Sequence, residues 1–153
     1  MTERFVASEK LRANLQRVLV NLVDLQLQGK QAHWNVTGPG FRSMHRQLDE
    51  VVDLARGHAD VIAERMRAIQ VVPDGTAETV STTTDLAPYP QGLVSAPDTA
   101  DATVECLART VGAVREVFDD VDSEDPASAD LLNAIINDFE QQAWMIGSES
   151  DEV

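Results

Sequence analysis

Four stretches of the chain show the apolar spacing of amphipathic helices, and short runs of Gly and Pro separate them. In residues 8–36, Leu and Val recur at intervals of four and three, which places them on one helical stripe. These positions are Leu11, Leu15, Val18, Leu22 and Leu25. Residues 37–40 contain two glycines and a proline, which are rare in helix interiors and end this helix.

Three further helices follow. Residues 41–71 have one apolar face, made by Met44, Leu48, Val51, Ala55, Ile62, Met66 and Ile69. Residues 73–98 are rich in Pro, Ser and Thr and predict a long crossover with room for one short helix. We predict a third helix at 99–122, with Asp98 or Thr99 as its N-cap, and a fourth at about 126–146 that starts with Pro126. Segments 1–7 and 147–153 are expected to be flexible tails.

This order predicts one all-α domain over residues 1–153. Two helices, a long crossover and two more helices form a four-helix bundle of the ferritin-like kind. A chain of 153 residues is long enough to bury a core of this size.

The composition limits the partners and the compartment. The net charge is −14, and the only lysines are Lys10 and Lys30, which disfavours nucleic acid as a partner and suits cations. Solubility alone is the other explanation of the acidity. No apolar run approaches the ~20 residues that span a bilayer, the N-terminus has no apolar signal segment, and Cys106 has no second cysteine. We therefore expect a cytoplasmic protein without a membrane partner.

Five candidate metal ligands form a symmetric pattern. His33 lies on helix one, and helix two carries two pairs four residues apart, His45/Asp49 and Asp60/Glu64. The positions 45 and 64, like 49 and 60, sum to 109. At about 100° per residue, these four side chains share one flank of the helix.

The spacing of the pairs excludes one ion within one straight helix. Asp49 and Asp60 lie about 16 Å apart along the axis, whereas metal–ligand bonds are about 2 Å. An antiparallel copy of the helix, in which residue i faces residue 109−i, brings the pairs together at two equivalent sites. Such a contact is isologous, as a two-fold dimer requires.

Imidazole and carboxylate ligands suit Fe, Zn or Mn, and a carboxylate-rich set favours iron. The alternative is a solvated, salt-bridged face, because Arg42, Arg56 and Arg67 share this flank, and His33 is then a core residue. The di-iron site of ferritins uses Glu-x-x-His on two helices, and no Glu of this sequence is followed by such a His.

The pattern resembles the Dps family of mini-ferritins, named as DNA-binding proteins from starved cells, and in particular its actinobacterial type. The resemblance rests on Lys30–Val36 (Lys-Gln-Ala-His-Trp-Asn-Val), Gly38, Phe41, His45, Asp49–Glu50, Asp60, Ala63–Arg65, Tyr89–Pro90, Asp130–Leu132 and Trp144. It covers nearly the whole chain.

The resemblance implies a hollow shell of twelve subunits with ferroxidase sites at two-fold interfaces. His33, His45 and Asp49 come from one subunit, and Asp60 and Glu64 from its mate. Fe(II) is oxidised by hydrogen peroxide in preference to dioxygen and stored as a ferric mineral, which protects against oxidative damage.

The resemblance also suggests roles for residues around the site. Trp34 is expected to donate electrons or trap radicals, with simple packing as the alternative. Entry pores of the family are lined by aspartates. Asp130 matches such a position, and Asp122 and Asp125 are further candidates, with an exposed acidic loop as the other reading. Glu50 and Asp53 are candidates for mineral nucleation.

The sequence departs from the family where DNA binding is concerned. Members often bind DNA through a Lys-rich tail, but this chain has one lysine before residue 30 and an acidic end at residues 148–152. We expect weak or absent DNA binding. The rival hypotheses are a non-enzymatic DNA-binding shell that compacts the nucleoid and a helical bundle that has lost its metal site.

Overall fold

The computed structural model describes residues 4–150 and shows four long helices, one short helix and a pair of two-residue strands. In chain order these are α1 (Glu9–Asn35), β1 (Val36–Thr37), α2 (Phe41–Ala68), α3 (Ala77–Thr83), β2 (Val94–Ser95), α4 (Ala96–Glu124) and α5 (Pro126–Ser150). The predicted all-α bundle with a long crossover is confirmed. Helix α3 is the short helix inside the crossover.

The long helices surround one apolar core. Helix α1 packs beside α2 and α4, and α5 closes the bundle against α4 and α2. The leucine stripe of α1 is fully buried, as its spacing predicts. Facing it are Leu48, Ile62 and Met66 of α2, Leu107 of α4, and Leu132, Ile135 and Phe139 of α5. Burial of each large apolar side chain contributes about 1.5–3 kcal/mol, which makes this core the main source of stability.

A short parallel bridge joins the turn between α1 and α2 to the end of the crossover. Val36 pairs with Val94, and Thr37 pairs with Ser95. The turn between β1 and α2 uses Gly38 at φ 86° and Gly40 at φ 85°, a conformation that other residues rarely adopt. The bridge therefore fixes the end of α1 beside the start of α4, and the glycine turn directs the chain back into α2.

Helix α4 begins three residues earlier than predicted. Its N-cap is Ser95, whose hydroxyl accepts a hydrogen bond from the Asp98 backbone N–H at 3.2 Å, so neither Asp98 nor Thr99 is the cap. Pro97 lies in the first turn, where a missing N–H leaves no hydrogen bond unmade. Pro97 thus belongs to the helix, although the sequence analysis assigns it to the crossover.

Helix α2 ends at Ala68, three residues before the predicted end. Gln70 adopts a left-handed conformation at φ 66°, and the Val71 N–H bonds back to the Met66 carbonyl at 2.8 Å. This is the Schellman arrangement that closes many helices.

Parts of the two segments that the sequence predicts as tails lie within the described residues. Ala7 is buried and donates its N–H to Ile69, and the hydroxyl of Ser8 bonds to Glu124. Helix α5 continues through Ser150. Residues 1–3 and 151–153 lie outside the described residues.

Among the helices of residues 4–150, none is both long and apolar enough to cross a bilayer.

Candidate metal centre

Two of the five predicted ligands meet where α1 ends and α2 begins. His33 lies in the last turn of α1 and His45 in the first turns of α2, and the glycine turn reverses the chain between them. The two imidazole rings stack with centroids 3.6 Å apart and planes 18° from parallel. Phe41 flanks His45 at 5.1 Å between ring centroids.

Each histidine is held by the backbone of the other. The Nδ1 of His33 lies 2.6 Å from the carbonyl oxygen of His45, and the Nδ1 of His45 lies 2.8 Å from that of His33. A carbonyl oxygen can only accept, so both Nδ1 atoms donate. In a neutral imidazole this leaves the lone pair on Nε2, the atom that then binds a metal. The two rings are therefore fixed in the tautomer that suits metal binding.

Asp49 adds a carboxylate one helical turn after His45. Its Oδ1 lies 3.4 Å from the Nδ1 of His33 and 2.5 Å from the Nζ of Lys30. The hydrogen bond from Lys30 is the main cause that lowers the pKa of Asp49 below its usual value, and the nearby histidines act in the same direction. Asp49 is therefore an anion beside the two imidazoles at neutral pH.

Asp60 and Glu64 lie apart from this cluster. Both are exposed on α2, and they lie further along the helix axis from Asp49, Asp60 by about 16 Å and Glu64 by about 22 Å. Neither side chain has a hydrogen bond or an ion pair within residues 4–150. Among these described residues of the single chain, no three His, Cys, Asp or Glu side chains are grouped closely enough to hold a metal ion. The structure therefore places His33, His45 and Asp49 beside one another without forming a complete site from them, and it leaves Asp60 and Glu64 apart.

Trp34 directly follows His33 and is 69% exposed in the single chain. Simple packing inside the bundle does not explain it, because most of its surface faces outward. Its indole is therefore available to a second molecule or to a reactant at the edge of the histidine pair.

The three candidate pore residues have different environments. Asp122 and Asp130 are exposed, as an entry pathway requires. Asp125 differs from the prediction because it is buried and accepts two hydrogen bonds from Arg65, at 2.8 and 2.9 Å, and one from the hydroxyl of Ser128. Burial acts to raise the pKa of Asp125, but these bonds from Ser128 and Arg65 outweigh it, so the net shift is downward. Asp125 thus ties α2 to the α4–α5 junction.

Sequence reasoning assigned no role to Lys30 or His58. Lys30 precedes His33 by three residues, and this spacing, which puts both on one face of α1, could have indicated its contact with Asp49. The Nε2 of His58 lies 2.8 Å from Asp138 of α5, and its ring meets Phe139 edge-on. No local signal in the sequence relates His58 to α5.

Comparison with known proteins places the chain in a family. A family model of the ferritin-like domain matches residues 12–152. The chain is 34% identical over 139 residues to the DNA protection during starvation protein of Agrobacterium fabrum. The matched region covers 90% of this chain and 86% of that protein.

Two solved structures have the same fold. DpsA14 from Streptomyces coelicolor matches with a TM-score of 0.91 and 29% identity, over 100% of this chain and 95% of that one. The Dps of Microbacterium arborescens in its high iron form matches with a TM-score of 0.88 and 29% identity, over 97% and 99%. Sequence, domain model and fold agree, and the chain belongs to the Dps family of ferritin-like proteins.

Proposed function

We propose that this protein stores iron and removes reactive Fe(II) in the cytoplasm. It oxidises Fe(II) with hydrogen peroxide, or with dioxygen, at sites shared between two copies of the chain. The ferric product is held as a mineral inside a hollow shell of twelve chains. Membership of the ferritin-like Dps family supports iron storage and protection of DNA in general terms.

One observation supports the proposal: two groups of predicted ligands lie apart, one where α1 ends and α2 begins and one further along α2. His33, His45 and Asp49 form one half, and the exposed pair Asp60 and Glu64 forms the other. An antiparallel second copy of α2 supplies the missing half to both.

The electrostatics of such a contact favour a bound cation. When residue i faces residue 109−i, Asp49 faces Asp60 of the second copy. Two carboxylates at close range repel each other unless a cation lies between them. Lys30 neutralises Asp49 in the single chain, at 2.5 Å, and a divalent ion supplies the larger charge that two carboxylates need.

The chain's residues then have separate roles. The two imidazoles bind Fe(II) through Nε2, and the carboxylates bind it through oxygen and stabilise the Fe(III) product, which has the higher charge. Two Fe(II) ions give one electron each to one hydrogen peroxide, whose O–O bond breaks. With two protons from solvent, its oxygens leave as two water molecules. Because peroxide is reduced by two electrons, no hydroxyl radical is released. When only one of the two electrons is supplied by Fe(II), Trp34 is the proposed donor of the other.

The acidic surface assists the substrate and opposes DNA. Asp122 and Asp130 remain our candidates for attracting Fe(II) to an entry pathway, because carboxylates raise the local concentration of cations. The same net charge of −14 repels phosphates, and we expect weak or absent DNA binding at physiological salt. Tight binding in a gel shift above ~0.1 M salt would instead support the DNA-compacting shell.

Complementation between two inactive variants tests the shared site. D49A and E64A are each expected to lose peroxide-driven Fe(II) oxidation. In a dimer of one D49A chain and one E64A chain, one of the two sites keeps all five native ligands. Co-assembled chains should therefore recover part of the wild-type rate, whereas no recovery in verified mixed dimers contradicts shared sites.

A second experiment tests the ligands themselves. The double variant H33A/D60A is expected to assemble like wild type but not to oxidise Fe(II). Retained oxidation by a correctly assembled double variant would contradict the proposed site. E140A, which alters an exposed ion pair with Arg115 on α4, is the matched control and should oxidise Fe(II) like wild type.

A further inference from the structure

Two opposite charges lie at the middle of the flank of α2 that carries the ligands. Taking His45 as zero and about 100° per residue, Asp53 falls at about 80° and Arg56 at about 20°. Asp49 and Asp60 fall between them, at about 40° and 60°. Asp53 and Arg56 are both exposed, so this flank presents an acid and a base between its two half-sites.

Neither charge has a partner within the described part of the chain. Asp53 and Arg56 are three residues apart, which allows an ion pair along a helix. Yet the side chains of both lack hydrogen bonds and ion pairs in residues 4–150, whereas Arg17 and Arg65 each form an ion pair within the chain. The pair is therefore available to another molecule.

We propose that Asp53 of one copy pairs with Arg56 of a second copy, twice around the two-fold axis, and that these ion pairs set the register of the two α2 helices. The positions 53 and 56 sum to 109, as the ligand pairs do. In this one antiparallel register, His45 faces Glu64 of the second copy, Asp49 faces Asp60 with a cation between them, and Asp53 faces Arg56. The inference rests on the proposed function, because that function supplies the contact between α2 helices.

The position of the two charges makes them sensitive to register. The axis passes between Leu54 and Ala55, so Asp53 and Arg56 lie only about 2 Å from it along the helix, whereas His45 and Glu64 lie about 14 Å away. In a shifted register in which facing positions sum to 112, Arg56 faces Arg56 of the second copy. In a register in which they sum to 106, Asp53 faces Asp53 of the second copy. Like charges then meet at the axis, which disfavours both slips.

The register has one unfavourable pair, far from the axis. Arg42 faces Arg67 of the second copy, about 19 Å from the axis along the helix. Both are exposed, and Arg67 also donates to the Val71 carbonyl at 3.2 Å. Solvent and salt screen such a pair more than charges enclosed at the centre of an interface.

Charge reversal in mixed chains tests the pairing. In a dimer of two D53R chains, arginine faces arginine at both positions, and in a dimer of two R56D chains, aspartate faces aspartate. A D53R chain with an R56D chain is complementary at both. The two variants are co-expressed, and native mass spectrometry, which separates them by mass, counts the dimers released from the assembly. We expect mixed dimers well above the half that random pairing gives.

The alternative within one chain predicts a different result. If Asp53 and Arg56 acted only along their own helix, each variant would still carry like charges in every dimer, and mixing would give the random half. That result overturns the proposal. E105R and R109E, which reverse an exposed acid and base one turn apart on α4, are the matched control and should pair at random.

Two further arms keep the outcomes distinct. If the reversals prevent folding, D53N with R56Q repeats the test, because only the mixed dimer retains one native ion pair. Iron oxidation by wild type is measured in parallel. Random pairing with intact oxidation rejects the register proposal alone, and preferential pairing without oxidation rejects the proposed function alone.

Discussion

The Nζ of Lys30 lies 2.5 Å from Oδ1 of Asp49, so a cation of the chain itself occupies one proposed metal ligand. The two side chains are partly exposed and belong to the last turns of α1 and the early turns of α2. Lys30 thereby neutralises the carboxylate next to the stacked histidines. The same ammonium group competes with any metal ion that approaches Asp49.

Removal of Lys30 should strengthen divalent metal binding. In K30M the carboxylate keeps its place in α2 but loses the neighbouring positive charge. A unit charge at about 4 Å is worth about 1 kcal/mol in water, so we expect affinity to rise by about fivefold. Calorimetric titration with Zn(II), which is not oxidised, measures this. K10M, which removes an exposed lysine paired with Asp120, should bind like wild type. Weaker binding by K30M would show that Lys30 instead positions Asp49.

Loss of the Asp125 carboxylate should destabilise the bundle. D125N keeps the shape of the side chain but breaks its paired hydrogen bonds with Arg65, which is itself mostly buried. We expect the free energy of unfolding to fall by about 1–3 kcal/mol. Urea unfolding at one fixed protein concentration measures it. D122N changes an exposed aspartate and should stay within about 0.5 kcal/mol of wild type. Equal stability of both variants would contradict the structural role of Asp125.

Asp85 should make the fold sensitive to acid. Its carboxylate accepts hydrogen bonds from Arg17, at 2.7 and 3.1 Å, and from Asn21 at 2.8 Å. The bonds from Arg17 are the main cause that lowers the pKa of Asp85 below its unfolded value of about 3.9. The stabilisation is therefore present above about pH 4 and is lost as the pH falls through the folded-state pKa.

The variant D85N isolates this contribution. At neutral pH it should be less stable than wild type by about 1 kcal/mol, since the ion pair is partly solvated. As the pH falls from about 4 through the folded-state pKa of Asp85, the difference should shrink, because the wild-type carboxylate becomes protonated and loses its ion pair. Thermal unfolding across this pH range measures both. D119N, at an exposed site on α4, should show no such dependence, and a constant difference for D85N would contradict the assignment.

Gly29 is required where α1 and α2 approach each other. A Cβ at Gly29 would lie 2.7 Å from Cγ2 of Val52, closer than side-chain atoms pack. Although Ala favours helices by about 1 kcal/mol over Gly, overpacking a core costs about 1–3 kcal/mol. We expect G29A to be destabilised in urea unfolding and V52A to reduce that loss when combined with it. G112A, whose Cβ meets nothing within 4 Å, should be neutral or stabilised.

The helices and half of the site could be read from the sequence because both depend on periodicity. The Leu stripe of α1 and the spacing of His45 from Asp49 follow from about 100° per residue, whatever the neighbours are. The stacking of His33 on His45 also needs the glycine turn. The sequence predicts where this turn lies but does not specify the path of its backbone.

Contacts between distant segments could not be predicted in this way. Asp125 lies in an acidic stretch of the sequence, and nothing local shows that Arg65, sixty positions earlier, reaches it. Lys30 has a long side chain that can extend in several directions, and only the packing of α1 against α2 selects Asp49. The start of α4 was missed because proline ends most helices but is accommodated in a first turn.

At the proposed site, we expect the reciprocal hydrogen bonds between His33 and His45 to link metal occupancy to folding. The same two rings that expose Nε2 also fasten the last turn of α1 to the first turns of α2. A ligand that binds only the folded arrangement stabilises it in proportion to the logarithm of its concentration. Each ion bound at the proposed site should therefore raise the melting temperature of the protein, and we expect heat stability to rise with the iron supply.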